Sequence, residues 1–135
     1  MFELGSLDKT TAKNLNPQVL AFVGDGVYSL YIRHKFVLGS DARGKNLHDM
    51  VTNFVKAGGQ SNYIERILPM FTEEELAVFK RARNHKTLSQ AKNAKVVDYR
   101  RATGLEAVLG YLYLIGEESR LNELLKYSIG ESNEN

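Results

Sequence analysis

Residues 21–30, AFVGDGVYSL, set an aspartate between two glycines inside an apolar run that continues almost unbroken from Pro17 to Gly39. In isolation Asp-Gly signals a turn, because glycine accepts positive φ and aspartate bonds the local backbone. The flanks decide otherwise. Asn16-Pro17 is a helix start, with Asn able to cap free N–H groups and Pro harmless at the first helical position. Beyond it Leu20, Val23, Val27, Leu30 and Tyr31 recur at three- and four-residue spacing, and no period-two alternation competes. The chain is therefore expected to stay helical through the glycines. A helix apolar nearly all round is buried on more than one side, in a core or at a subunit contact. An acid on it must then be paired, hydrogen-bonded or metal-bound. The glycines cost helix propensity and supply room for backbone, ion or substrate beside Asp25.

The rest of the chain reads as helices too. Asn46-Leu47-His48 opens a helical stretch to about Lys56, Gly58-Gly59 interrupts it, and another runs to Leu68 before Pro69. Thr72 with Glu75 forms a capping box that opens TEEELAVFKRAR, acids first and bases last. NHKTLSQAKNAKVVD is polar and weakly periodic, and is expected to be an exposed loop. From about Tyr99 to Ile115 an amphipathic helix is predicted, with Leu105, Val108, Leu109, Leu112 and Ile115 on one stripe. A last helix from about Glu118 to Ser128 precedes a polar tail. The expected fold class is all-α, one catalytic domain over 1–135 with a core at about 15–128.

At 135 residues with 43% apolar and 25% charged residues, the composition is that of a globular chain. It has no cysteine, which removes disulfides and thiolate zinc sites. No apolar run reaches the length of about 18 residues that a membrane span needs, and the N-terminus lacks a signal-peptide pattern. A cytoplasmic protein is expected. The net charge of +2 hides an asymmetry. From Lys80 to Arg101 there are eight Lys or Arg against the single acid Asp98, a local +7, which leaves −5 for the remainder.

A second acid repeats the first. Glu106 lies in TGLEAVLGYLYL beside apolar positions, with Thr103 and Gly110 above and below it. Two carboxylates from two packed helices are the minimal protein contribution to a Mg²⁺ site, which keeps waters and takes substrate phosphate oxygens. A satisfied structural acid is the plainer alternative for either residue alone.

The segments FVGDGVYSLYIRH and TGLEAVLGYLYL resemble the two acidic motifs of the ribonuclease III endonuclease domain, and more closely those of its short Mini-ribonuclease III branch. The resemblance extends over Leu47-His48, Val55-Lys56-Ala57, Gln60, FTEEELAVFKRARNHK and Tyr99-Arg100. It implies an all-helical homodimer that cuts double-stranded RNA with Mg²⁺, leaving 5′-phosphate and 3′-hydroxyl ends. It further implies a role in trimming the large-subunit (23S) ribosomal RNA precursor, with a ribosomal protein on the substrate as a conceivable partner. By position, Asp25 and Glu106 would be metal ligands and catalytic residues, with Thr103, His48 and Gln60 as candidate supporting groups. Two other carboxylates of the full-length family's motifs are missing, for this chain has Ala21 and Thr103 in their places. The Thr103 hydroxyl is a candidate to hold a water of the metal.

Without a separate RNA-binding domain, the catalytic domain must neutralise phosphates itself. The expected RNA contacts are Arg81, Arg83, Asn84, Lys86, Lys92, Lys95, Arg100 and Arg101, forming an arm beside the active site. A solvated charged loop is the bland reading of that run. Two other functions stay open, a non-catalytic double-stranded-RNA-binding module of the same fold and a helical interaction domain whose acids are structural.

Overall fold

The computed structural model describes residues 2–39, 45–54, 57–85 and 94–129. Those residues form helices and no strand. α1 is Lys9–Lys13, α2 Pro17–Leu38, α3 Lys45–Phe54, α4 Ala57–Ile67, α5 Glu73–Asn84, α6 Ala94–Leu114 and α7 Glu118–Leu125, with a 3-10 turn at Leu68–Met70 between α4 and α5.

α2 starts and stops where the sequence says it should. The Asn16 side chain accepts from the Gln18 N–H at 2.8 Å, Pro17 occupies the first position, and Gly39 closes the end. The Thr72–Glu75 capping box of α5 is made in both directions, at 3.1 and 2.9 Å.

α6 departs from the sequence expectation and is central rather than amphipathic. Leu105, Ala107, Val108, Leu109 and Tyr111 are wholly buried, and Ala102 and Leu112 nearly so. α2 and α5 pack on opposite sides of it through glycines. A Cβ at Gly24 or Gly110 would enter the backbone of the opposing helix, and one at Gly104 would lie 2.7 Å from the Phe79 ring. Gly24 faces Glu106 and Gly110 while Leu20 faces Gly110, so α2 and α6 run antiparallel.

Four further expectations need correction. α6 begins at Ala94, so the loop expected over 84–98 has a helical end; residues 86–93 lie outside the described region. Gly58-Gly59 does not break a helix but lies in the first turn of α4. α7 ends at Leu125, short of Ser128. The N-terminal segment also contributes α1. Asp8 caps it at 2.7 Å, Ala12 enters the core, and Leu7 donates to the Leu114 carbonyl at 2.8 Å.

α7 and the turn after it hold α4 in place. The Tyr63 hydroxyl donates to the Leu124 carbonyl at 2.8 Å, and Arg66 donates twice to the Tyr127 carbonyl at 2.9 and 2.8 Å. These bonds satisfy carbonyls that a helix end leaves open. They also fix the helix that carries Gln60.

Candidate active site

The α2–α6 crossing brings Asp25 and Glu106 together. Gly24 lets the Glu106 backbone come against α2, and Asp25 is the next residue, at the edge of that contact. The two carboxyl groups interact with each other. Burial, and next the charge of Asp25, push the Glu106 carboxyl up to about 8. Gln60 is only 3% exposed and donates its Nε2–H to Glu106 Oε2 at 3.3 Å. Glu106 is half-buried, whereas Asp25 is exposed. The expectation of an acid carried into the interior is thus met by Glu106 and not by Asp25.

The two glycines beside Asp25 have different tasks. Gly24 is required by the helix crossing, whereas a Cβ at Gly26 would have no atom of the described residues within 4 Å. Gly26 belongs to an exposed apolar face of α2. Phe22 is 80% exposed there, with Val19, Leu30 and Val37 about half exposed beside it. A groove on this face is lined by Val23, Gly26, Leu30, Tyr31, His34 and Tyr113. Asp25 lies between that face and the α6 contact.

Among the described residues no cluster of three or more His, Cys, Asp or Glu comes together. The donor set is the two carboxylates, and burial, then the charge of Asp25, hold Glu106 toward its protonated form. Such a pair fits a hard divalent cation, which accepts few protein oxygens and completes its shell with water and phosphate. At the two positions where acids are missing, Ala21 is buried in the α2 packing and the Thr103 hydroxyl donates to the Tyr99 carbonyl at 3.0 Å. That hydroxyl keeps its acceptor lone pairs for another donor.

The other candidates are spread out. His48 is exposed and lines a cleft with Arg33, Val37, Leu47 and Val51, two turns along α2 from Asp25. Arg83, Asn84, Arg100 and Arg101 line a second cleft with Glu65 and Phe79. Phe79 packs on Gly104, two residues from Glu106, so this cleft is on the other side of α6 from the acid pair. Arg101 is paired with Glu65 at 2.7 Å, and Arg83 sits over the Phe79 ring at 5.7 Å while donating to Asn84. Arg81 donates to the carbonyls of Lys13 and Leu15 at 2.6 and 3.0 Å, tying α5 to the end of α1. Lys86 and Lys92 lie outside the described residues, and Lys95 is in the first turn of α6. Sequence reasoning gave no site role to Tyr28, whose helical spacing looks like that of any core aromatic.

Two acids thus meet on crossed central helices of an all-helical fold, with the described basic residues set apart from them. The chain belongs to the ribonuclease III family: residues 18–117 match the ribonuclease III domain. It is an endoribonuclease of the Mini-ribonuclease 3 branch. It is 46% identical to Mini-ribonuclease 3 of Clostridium tetani, over 94% of this chain and 87% of that one. It is 45% identical to the Mini-ribonuclease 3 of Thermoanaerobacter sp., covering 91% and 87%. A crystal structure of a protein from Fusobacterium nucleatum superposes with a TM-score of 0.72 at 32% identity, covering 84% of this chain and 90% of that one. Ribonuclease III domains act on double-stranded RNA and depend on a divalent metal.

Proposed function

We propose that this chain, as one catalytic domain over 1–135, hydrolyses phosphodiesters of double-stranded RNA with Mg²⁺ at Asp25 and Glu106. The products would carry 5′-phosphate and 3′-hydroxyl ends. The observation that carries the reading is the acid pair, two interacting carboxyl groups brought together at a helix crossing with Gln60 donating to one of them. Bound there, the cation would supply charge neutralisation at phosphorus and activation of the attacking water. Asp25, at the exposed edge, is placed to meet substrate and ion together. Glu106 is the inner ligand, oriented by Gln60, and must give up its proton to bind. Thr103 and His48 are the weaker supporting candidates, the first adjacent on α6 and the second farther out.

For the RNA, Arg100 is the cation of its cleft to which no internal partner is assigned among the described residues, and Lys86, Lys92 and Lys95 extend the same basic segment. Arg83, Asn84 and Arg101 can reach phosphate only by exchanging or sharing their present contacts, and Arg81 acts chiefly within the fold. A cleft on the far side of α6 suits a ligand as wide as a duplex, which can touch both the acid pair and a second patch. The exposed apolar face of α2 supports a homodimer, because a patch of that kind signals a partner. A two-fold contact there would put two acid pairs on one particle, matching the two strands of a duplex. The cellular substrate in this reading is the 23S ribosomal RNA precursor in the cytoplasm, with a ribosomal protein as an added partner.

The test is to incubate a labelled duplex RNA and its single strand with the protein, in Mg²⁺ or in EDTA. Cleavage of the duplex alone, only with Mg²⁺ and with 5′-phosphate ends, is the expected result. Binding without cleavage would establish the non-catalytic module instead, and neither binding nor cleavage would leave a helical interaction domain. A precursor stem cut at one position, with and without ribosomal proteins, tests the substrate.

A further inference from the structure

Tyr28 is wholly buried on α2, one turn past Gly24 on the face that packs against α6. Its ring stacks on Tyr63 of α4, with centroids 5.8 Å apart and planes at 12°. The Tyr63 hydroxyl is satisfied by the Leu124 carbonyl. Among the described residues the Tyr28 hydroxyl, which is buried, has no hydrogen-bond partner. A buried polar group left in that state is destabilising, and phenylalanine would make the same stack without it. The position therefore asks what the oxygen is for.

Its surroundings give an answer. Tyr63 lies one turn along α4 from Gln60, and Gln60 donates to Glu106 of α6. Tyr28, Gln60 and Glu106 thus come from the three helices that meet at one junction, three residues along α2 from Asp25. Burial, and next the charge of Glu106, raise the Tyr28 hydroxyl above the usual phenol range. A carboxylate that ligates a cation has lone pairs left on both oxygens, and Gln60 supplies one donor.

We propose that Tyr28 is a positioning residue of the acid site, its hydroxyl donating to the Glu106 carboxylate, directly or through one water, when a divalent cation is bound. The proposal rests on the reading of Asp25 and Glu106 as metal ligands. Donors behind a ligating side chain fix its orientation and raise metal affinity, and their loss costs about 10–100-fold.

The experiment compares wild type, Tyr28→Phe and Asp25→Asn by calorimetric titration with Mn²⁺ alone, and by thermal unfolding in EDTA. Tyr28→Phe should unfold at the wild-type temperature or above it without metal, and bind Mn²⁺ about tenfold more weakly. Unchanged Mn²⁺ affinity in Tyr28→Phe, or a clear loss of metal-free stability, would show a merely structural hydroxyl and overturn the proposal. Mn²⁺ binding by wild type that Asp25→Asn abolishes keeps the metal-site reading intact whatever Tyr28→Phe does. If wild type binds no Mn²⁺, or Asp25→Asn binds it equally well, both fall.

Discussion

Gly24→Ala should be the most damaging single-methyl change in this chain. The added Cβ would enter the Glu106 carbonyl oxygen, 2.6 Å from its carbon and 2.9 Å from the Gly110 nitrogen. All of these are backbone atoms of the central helix, so no side chain can swing away. Restoring ordinary contact at the carbon alone requires α2 to move off by about 0.8 Å, a gap that forfeits roughly a quarter to a half of each dispersion contact across the crossing. Overpacking costs about 1–3 kcal/mol, and a backbone clash belongs at or above the top of that range. Helix propensity returns about 1 kcal/mol. The net loss is about 2 kcal/mol or more, a fall in Tm of about 5–10 °C at this chain length. The same shift parts Asp25 from Glu106, and a misplacement of about 1 Å can cost 10²-fold in rate. Gly26→Ala is the control, since its Cβ meets no atom of the described residues within 4 Å. Thermal unfolding by circular dichroism at fixed protein concentration, with cleavage rates in parallel, reads both effects. A Gly24→Ala protein as stable as Gly26→Ala would refute this reasoning.

Stability of the metal-free protein should depend on pH through Glu106. The unfolded residue ionises near 4.5 and the folded one near 8. Between those values the folded state holds the extra proton, so stability falls as pH rises through the window, and the penalty is complete above about 8. Tm measured in EDTA should therefore decline from pH 5 to 8.5, and Glu106→Gln should remove that part of the decline; an identical slope in the variant would disprove the assignment. Phe22→Asp should convert a sedimenting dimer to monomer, and a dimer that survives it places the contact elsewhere. Neutralising Lys86, Lys92 and Lys95 together should lower the salt slope of RNA binding by roughly 2–3. Arg81→Ala, by contrast, should leave that slope unchanged and lower stability by about 1 kcal/mol by freeing the Lys13 and Leu15 carbonyls. A reversed pattern would make Arg81 an RNA ligand.

Much of the fold was legible because its signals are local. Asn16-Pro17 and Thr72 with Glu75 cap their helices with the atoms the sequence offers. The pairing of Asp25 with Glu106 was legible because two acids on apolar helices are rare enough to suggest each other. What escaped depends on contacts distant in sequence. α1 is too short to persist alone; it is held by Ala12 in the core, by Lys9 and Lys13 near Glu74, and by Arg81. α6 looks amphipathic from its leucines and valines, but Gly104, Ala107, Gly110 and Tyr111 are buried because helices pack on its other sides. Gly24 and Gly26 are identical letters in one motif, and only the crossing shows that the first is indispensable and the second faces outward. Arg81 counted as one charge in a basic run until its carbonyl partners were seen.

The central claim is that Asp25 and Glu106 form one centre, and a double-mutant cycle on single-turnover cleavage of duplex RNA tests it most directly. Asp25→Asn and Glu106→Gln preserve shape while removing a ligand charge, and each should lower the rate by about 10³-fold or more with the fold intact. Groups that act as a unit are not additive, so the double variant should be no slower than the worse single one. Either folded variant cutting at a near-normal rate, or losses that multiply, would contradict a single shared site.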